Sequence, residues 1–138
     1  MHSTIPALAL LAALAVAPAA PAAEKTAPAA AARTAPLLTQ ELADMKDKEV
    51  VMLTVEYKPG QSSPPHRHKA HTFVYVLEGT LIMGVEGKEP VRVGPGQTFY
   101  ENPADVHNVA RNASDTAPAK FLVFFIRDKG AATMHPAQ

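Results

Sequence analysis

The chain contains no cysteine and no tryptophan among its 138 residues. Without thiols, it can form no disulfide, thiolate metal site, cysteine nucleophile or lipid-anchored cysteine, and its redox compartment cannot be read from cysteine usage. It also carries no excess charge, because thirteen Lys plus Arg balance thirteen Asp plus Glu. The missing basic block argues against a nucleic-acid surface, where clustered cations displace counterions. It argues equally against a polybasic membrane patch. No apolar run reaches the length needed to span a bilayer, so stable membrane insertion is not expected. At this length there is room for one domain.

The most apolar stretch is residues 5–17 (IPALALLAALAVA), thirteen uncharged residues. That suits a signal-peptide h-region and is too short for a transmembrane span. Small-residue cleavage sites follow at Ala20-Pro21-Ala22 and Ala23. A buried helix fits poorly, because Pro6, Pro18 and Pro21 bracket the run and no amphipathic stripe exists. The n-region supplies only the amino terminus and His2. Residues 1–23 are therefore expected to be the signal peptide of an exported bacterial protein, periplasmic or secreted. Residues 24–36 (EKTAPAAAARTAP) read as a semi-extended Ala/Pro-rich tether with nothing to pack. The folding unit is expected at residues 37–138, enough for one modest core.

Within that unit the hydrophobic period is two. Residues 49–57 alternate, with Val51, Leu53, Val55 and Tyr57 on one face and Met52, Thr54 and Glu56 on the other. Residues 73–77, 81–85, 91–93, 98–100, 107–110 and 121–126 are further short β-rich runs. Turn chemistry separates them at Pro59-Gly60, Glu78-Gly79, Gly87-Lys88, Gly94-Pro95-Gly96 and Asn102-Pro103. Residues 37–45 (LLTQELADM) are the one candidate for a short helix. Many short strands at close spacing predict an all-β sandwich or closed barrel.

Four of the histidines fall in two segments, 64–71 (PPHRHKAH) and 105–107 (DVH). Residues i and i+2 of a strand point to one side, so His66 and His68 place both imidazoles on one face. A third neutral nitrogen, from His107, would complete a facial metal site with open positions. Taken alone, His-x-His reads equally as two surface histidines in a loop.

The spacing around these residues resembles the cupin superfamily. Its first motif runs Gly, five residues, His-x-His, three or four residues, Glu, six residues, Gly. Here Gly60, His66-Arg67-His68, Thr72 and Gly79 fall in that register. Its second motif runs Gly, five residues, Pro-x-Gly, two residues, His, three residues, Asn, matched here by Gly96, Asn102-Pro103-Ala104, His107 and Arg111. The similarity covers residues 50–126. It implies a double-stranded β-helix (jelly-roll) barrel of the small bacterial single-domain type. His66, His68 and His107 would hold one divalent transition-metal ion, with Fe, Mn, Ni, Cu, Co and Zn all compatible with imidazole.

The chief departure is Thr72, a hydroxyl where the family carries its carboxylate ligand. Three neutral imidazoles would leave a dication uncompensated and favour an anion, as in the three-histidine dioxygenases of the superfamily. His71 is a candidate additional ligand, although strand parity from Thr72 turns it away. Glu101 is a second candidate carboxylate on weaker grounds, and a solvated surface position is the expectation for it. Thr72, Tyr100 and Arg111 are candidate substrate-binding residues; Arg111 faces inward if parity from His107 holds and otherwise makes a surface salt bridge, and Tyr100 alternatively packs with its hydroxyl in water. Phe73, Tyr75, Phe121, Phe124 and Phe125 are expected in the core, the barrel wall or a homodimer surface. Asn112-Ala113-Ser114 matches a glycosylation acceptor and reads as a turn. His135 is expected to be exposed in a frayed tail. Ser62, Ser63 and Ser114 lack a triad-type acid–base arrangement.

Two functional classes remain open. One is an O₂-dependent, oxygenase-type metalloenzyme acting on a small anionic or enolisable molecule. The other is a non-catalytic ligand-binding or sensory protein on the same fold.

Overall fold

The computed structural model describes residues 31–137. The expected signal peptide and residues 24–30 of the tether lie outside the described residues. The chain there forms β1 (Arg33–Glu41), β2 (Lys48–Tyr57), β3 (Ser62–Ser63), β4 (His66–Arg67), β5 (His71–Glu78) and β6 (Leu81–Val85). It continues as β7 (Val91–Val93), β8 (Thr98–Glu101), β9 (His107–Asn112), β10 (Ala119–Asp128) and β11 (His135–Pro136). No helix forms among the described residues, and none is therefore long and apolar enough to cross a membrane.

Two sheets of antiparallel strands face each other. One has the order β1-β2-β10-β5-β8, the other β11-β4-β9-β6-β7, with β3 added on β9. Neighbours distant in sequence, such as β2 beside β10 and β4 beside β9, give the jelly-roll crossovers. The period-two pattern decides which side chains meet between the sheets. In β10, Ala119, Phe121, Val123 and Phe125 are buried while Lys120, Leu122, Phe124 and Ile126 are only partly covered. In β5, Thr72, Val74 and Val76 are buried while Phe73, Tyr75 and Leu77 stay exposed. Leu81, Met83 and Val93 close the core from the opposite sheet. Each large apolar side chain so buried contributes roughly 1.5–3 kcal/mol. Gly79 turns the chain between β5 and β6 with φ +73°, and a Cβ there would lie 2.7 Å from the Pro118 carbonyl oxygen.

Three expectations need correction. Residues 33–36 are not tether, and residues 37–45 are not a helix; both contribute to β1, which pairs with β2 from Arg33 to Glu41. All nine β1 residues are exposed, so the strand has no buried face and no periodicity to betray it. The unpaired backbone edge of β2 organises it instead. Pro36 sits beside a register shift on this outer strand, a position where a missing N–H costs little. His135 is not in a frayed tail: it pairs with Arg67 through β11, and its Nε2 is buried. Asn112 is buried at the end of β9, donating from Nδ2 to the carbonyls of Lys58 (3.1 Å) and Ala117 (2.7 Å).

Candidate metal centre

The register of β4 and β9 sets His66 directly opposite His107. His68 follows two residues after His66 and returns to the same side. Ligand atoms of these three histidines all lie within 4.8 Å of one another. His66 and His107 are buried, and His68 is partly buried with its ring 5.0 Å from that of Phe125.

Backbone carbonyls fix how two of the rings present themselves. His66 Nδ1 donates to the Pro64 carbonyl at 2.8 Å, and His68 Nδ1 donates to the Thr133 carbonyl. A carbonyl only accepts, so both Nδ1 atoms carry the hydrogen and both Nε2 atoms present lone pairs. Those two Nε2 atoms face each other 3.2 Å apart. A proton shared between them would require a charged imidazole, and the surroundings oppose that. Burial pulls His66 below its ordinary 6.5 and His68 down to about 4. His107 falls to about 3, through burial first and the neighbouring His66 and His68 second. Neither ring nitrogen of His107 has a partner in good hydrogen-bond geometry, and only a weak contact with the Val109 backbone offsets part of that fall. Buried lone pairs converging without donors are the arrangement a cation relieves, and Nδ1–H bonds to carbonyls are the usual support of metal-bound imidazoles. The donor set therefore fits one divalent transition-metal ion.

A buried carboxylate lies beside two of the histidines. Glu101, 2% exposed, ends β8 with Oε2 3.2 Å from His107 Nδ1 and 3.7 Å from His68 Nε2. Burial, with a smaller contribution from Asp105, pushes its carboxyl up to about 8. The solvated position expected for this residue is wrong. Phe99 packs against the core and stacks on His107 with ring centroids 5.8 Å apart. Extending the strand by two residues from that apolar position would have put Glu101 inside.

The remaining sequence candidates are placed elsewhere. His71 and Tyr100 lie on the exposed outer face of the first sheet, bonded to each other at 2.7 Å, and neither reaches the cavity. Arg111 is exposed as well. Between β6 and β9 the register passes from Gly84↔Val109 to Val85↔His107, leaving Asn108 as a bulge. That extra residue reverses parity, so Ala110 and Asn112 point inward and Arg111 outward. Thr72 does face the interior, fully buried, with Oγ1 turned to the Ala70 carbonyl at 3.4 Å; it does not line the cavity.

The cavity holds about 580 Å³ counting its open mouth. His66, His68, His107 and Glu101 supply one polar patch, and the Tyr57 hydroxyl bonded to Ser63 Oγ at 2.6 Å supplies another. Leu53, Val55, Val74, Met83, Phe121 and Val123 make most of the remaining wall apolar. Thr34 from β1 and Met134 from the C-terminal segment, both exposed, reach its rim. Among the described residues, no Lys or Arg lines it. Such a site suits a small, largely apolar molecule with a few oxygen donors aimed at the histidines.

Comparison with known proteins agrees with this geometry. Residues 53–125 match the family described as Cupin domain. The DMSP lyase DddQ from Ruegeria pomeroyi DSS-3 superposes with TM-score 0.61 at 21% identity, covering 77% of this chain and 51% of that one. An oxalate oxidase gives TM-score 0.50 at 30% identity, covering 55% of this chain and 41% of that one. A double-stranded β-helix protein from Klebsiella pneumoniae subsp. pneumoniae gives TM-score 0.58 at 19% identity, covering 78% of this chain and 84% of that one. The chain thus spans about half the length of the lyase and less of the oxidase. No curated protein matches the sequence.

Proposed function

The chain belongs to the cupin family, and from that premise we propose that it is an exported metalloenzyme whose ion is held by His66, His68 and His107. The reaction proposed is O₂-dependent and of oxygenase type, on a small anionic or enolisable molecule. One observation carries the metal assignment: the Nε2 lone pairs of His66 and His68 meet at 3.2 Å with their Nδ1 hydrogens committed elsewhere. A divalent ion bound there would act as a Lewis acid on oxygen donors of the substrate and, if redox-active, would give access to O₂.

The chain's own residues do the rest. The Pro64 and Thr133 carbonyls hold two rings in the ligating tautomer before any ion arrives. The apolar wall displaces water from a bound molecule and strengthens electrostatic interactions near the histidines. The Tyr57–Ser63 hydroxyl pair offers a polar contact away from the metal patch. With no cationic side chain among the described residues of the cavity wall, an anionic substrate would be drawn by the ion. The likeness to an oxalate oxidase supports a small acidic or oxygenated substrate.

Oxygen uptake tests this reading. The Fe, Mn, Cu and Ni forms are offered small enolisable diketones, thiols and hydroxylated aromatics. At least one pairing is expected to consume O₂, and His107→Ala to abolish it. Silence across the whole panel, with ligand-induced shifts in melting temperature, would instead identify a binding protein without turnover.

A further inference from the structure

We propose that Glu101 is the fourth protein ligand of the ion, delivered from β8 in place of the carboxylate that Thr72 lacks; this rests on the metal reading above. In the β5–β8 register Thr72 and Glu101 are direct partners. Opposed residues on one sheet face hold their Cβ atoms about 4.5–5.5 Å apart. A side chain from position 101 can therefore serve the space beside position 72, where a Thr is too short and points elsewhere. The carboxylate has moved one strand sideways within the same sheet.

The alternative role is outer support, with Glu101 accepting the Nδ1 hydrogen of a metal-bound His107. Geometry favours direct ligation. A supporting carboxylate lies behind its histidine, away from the other ligands. Glu101 Oε2 instead lies 3.7 Å from His68 Nε2, the nitrogen already turned toward His66. His107 Nδ1, though 3.2 Å from Oε2, makes no hydrogen bond to it, so no N–H is aimed at the carboxylate. The oxygen lies beside two of the converging nitrogens.

The experiment titrates metal-free full-length protein with Co²⁺, following affinity and the ligand-field spectrum, and determines a structure of the Zn²⁺-loaded wild type. Glu101→Gln is nearly isosteric and is expected to bind Co²⁺ roughly tenfold or more weakly, with an altered spectrum. Adding Thr72→Glu to Glu101→Gln should recover most of the affinity, because the carboxylate returns from the partner strand. In the Zn²⁺-loaded wild type a Glu101 oxygen should lie about 2.0–2.2 Å from the ion. This last measurement stands even if Glu101→Gln folds poorly. A Glu101 carboxylate more than about 3 Å from bound Zn²⁺, beyond any coordination distance, overturns the assignment, as does Glu101→Gln with wild-type affinity and spectrum. If the wild type binds no Co²⁺ or Zn²⁺ at all, the three-histidine reading itself fails.

Discussion

Thr72 and Glu101 are paired across β5 and β8, both buried, and only Glu101 reaches the histidine cluster. The Thr72 hydroxyl makes one long bond, 3.4 Å to the Ala70 carbonyl. Thr72→Val should therefore leave metal stoichiometry and affinity unchanged and cost about 1 kcal/mol of stability at most. Metal titration and chemical denaturation of this variant check both halves. Loss of metal would restore Thr72 to the site.

The Thr133 carbonyl makes the C-terminal segment part of the metal centre. It accepts the Nδ1 hydrogen of His68, while β11 pairs with β4 at His66. A chain ending at Gly130 should hold its ion roughly tenfold or more weakly, because His68 loses the bond that fixes its tautomer. His135→Ala keeps the backbone pairing and should retain a full metal equivalent. Equal affinities for the truncated and intact chains would remove the segment from the account.

Stability of the metal-free protein should depend on pH from both sides. Glu101 titrates near 8 when folded against an ordinary 4.5, so between these values the folded state binds more protons than the unfolded one. Its contribution to stability then falls as pH rises through that window. His68 and His107, near 4 and 3 against 6.5, act oppositely, and their contribution falls as pH drops below 6.5. From pH 6.5 to 8 only Glu101 among these groups acts, with a slope of at most about 1.4 kcal/mol per pH unit. Urea denaturation should show that decline in the wild type and its absence in Glu101→Gln. A flat wild-type profile would mean that the carboxyl ionises freely when folded.

How much of this was legible in the sequence depended on whether a residue's placement followed from local spacing. The i, i+2 relation of His66 and His68 and the motif register of His107 needed no knowledge of partners. The strand β2 announced itself by alternation, and β10 by an unbroken run of β-favouring apolar residues. Parity also held for His71, which faces outward. Arg111 was misplaced because parity was counted through a bulge at Asn108 that only the partner strand β6 reveals. Glu101 was read only as a second, more readily solvated carboxylate because its strand was ended one residue early, at Tyr100. The fully exposed β1 and two-residue β11 exist through backbone pairing with β2 and β4, which side-chain patterns do not encode.

The N-terminal reading has its own test. The uncharged run at residues 5–17 and the small-residue sites after it predict that protein recovered from the producing cell begins between about Ala20 and Glu24. N-terminal sequencing of the exported fraction decides this. An intact cytosolic chain starting at Met1 would contradict export.

Elemental analysis of tag-free protein, purified from the compartment where it accumulates, tests the metal centre most directly. Close to one equivalent of a single divalent transition metal is expected in the wild type. Loss of most of that metal is predicted in each of His66→Ala, His68→Ala and His107→Ala, with each variant still folded by circular dichroism. A full equivalent retained by folded His107→Ala, or a wild type that takes up no metal even after reconstitution, would contradict it.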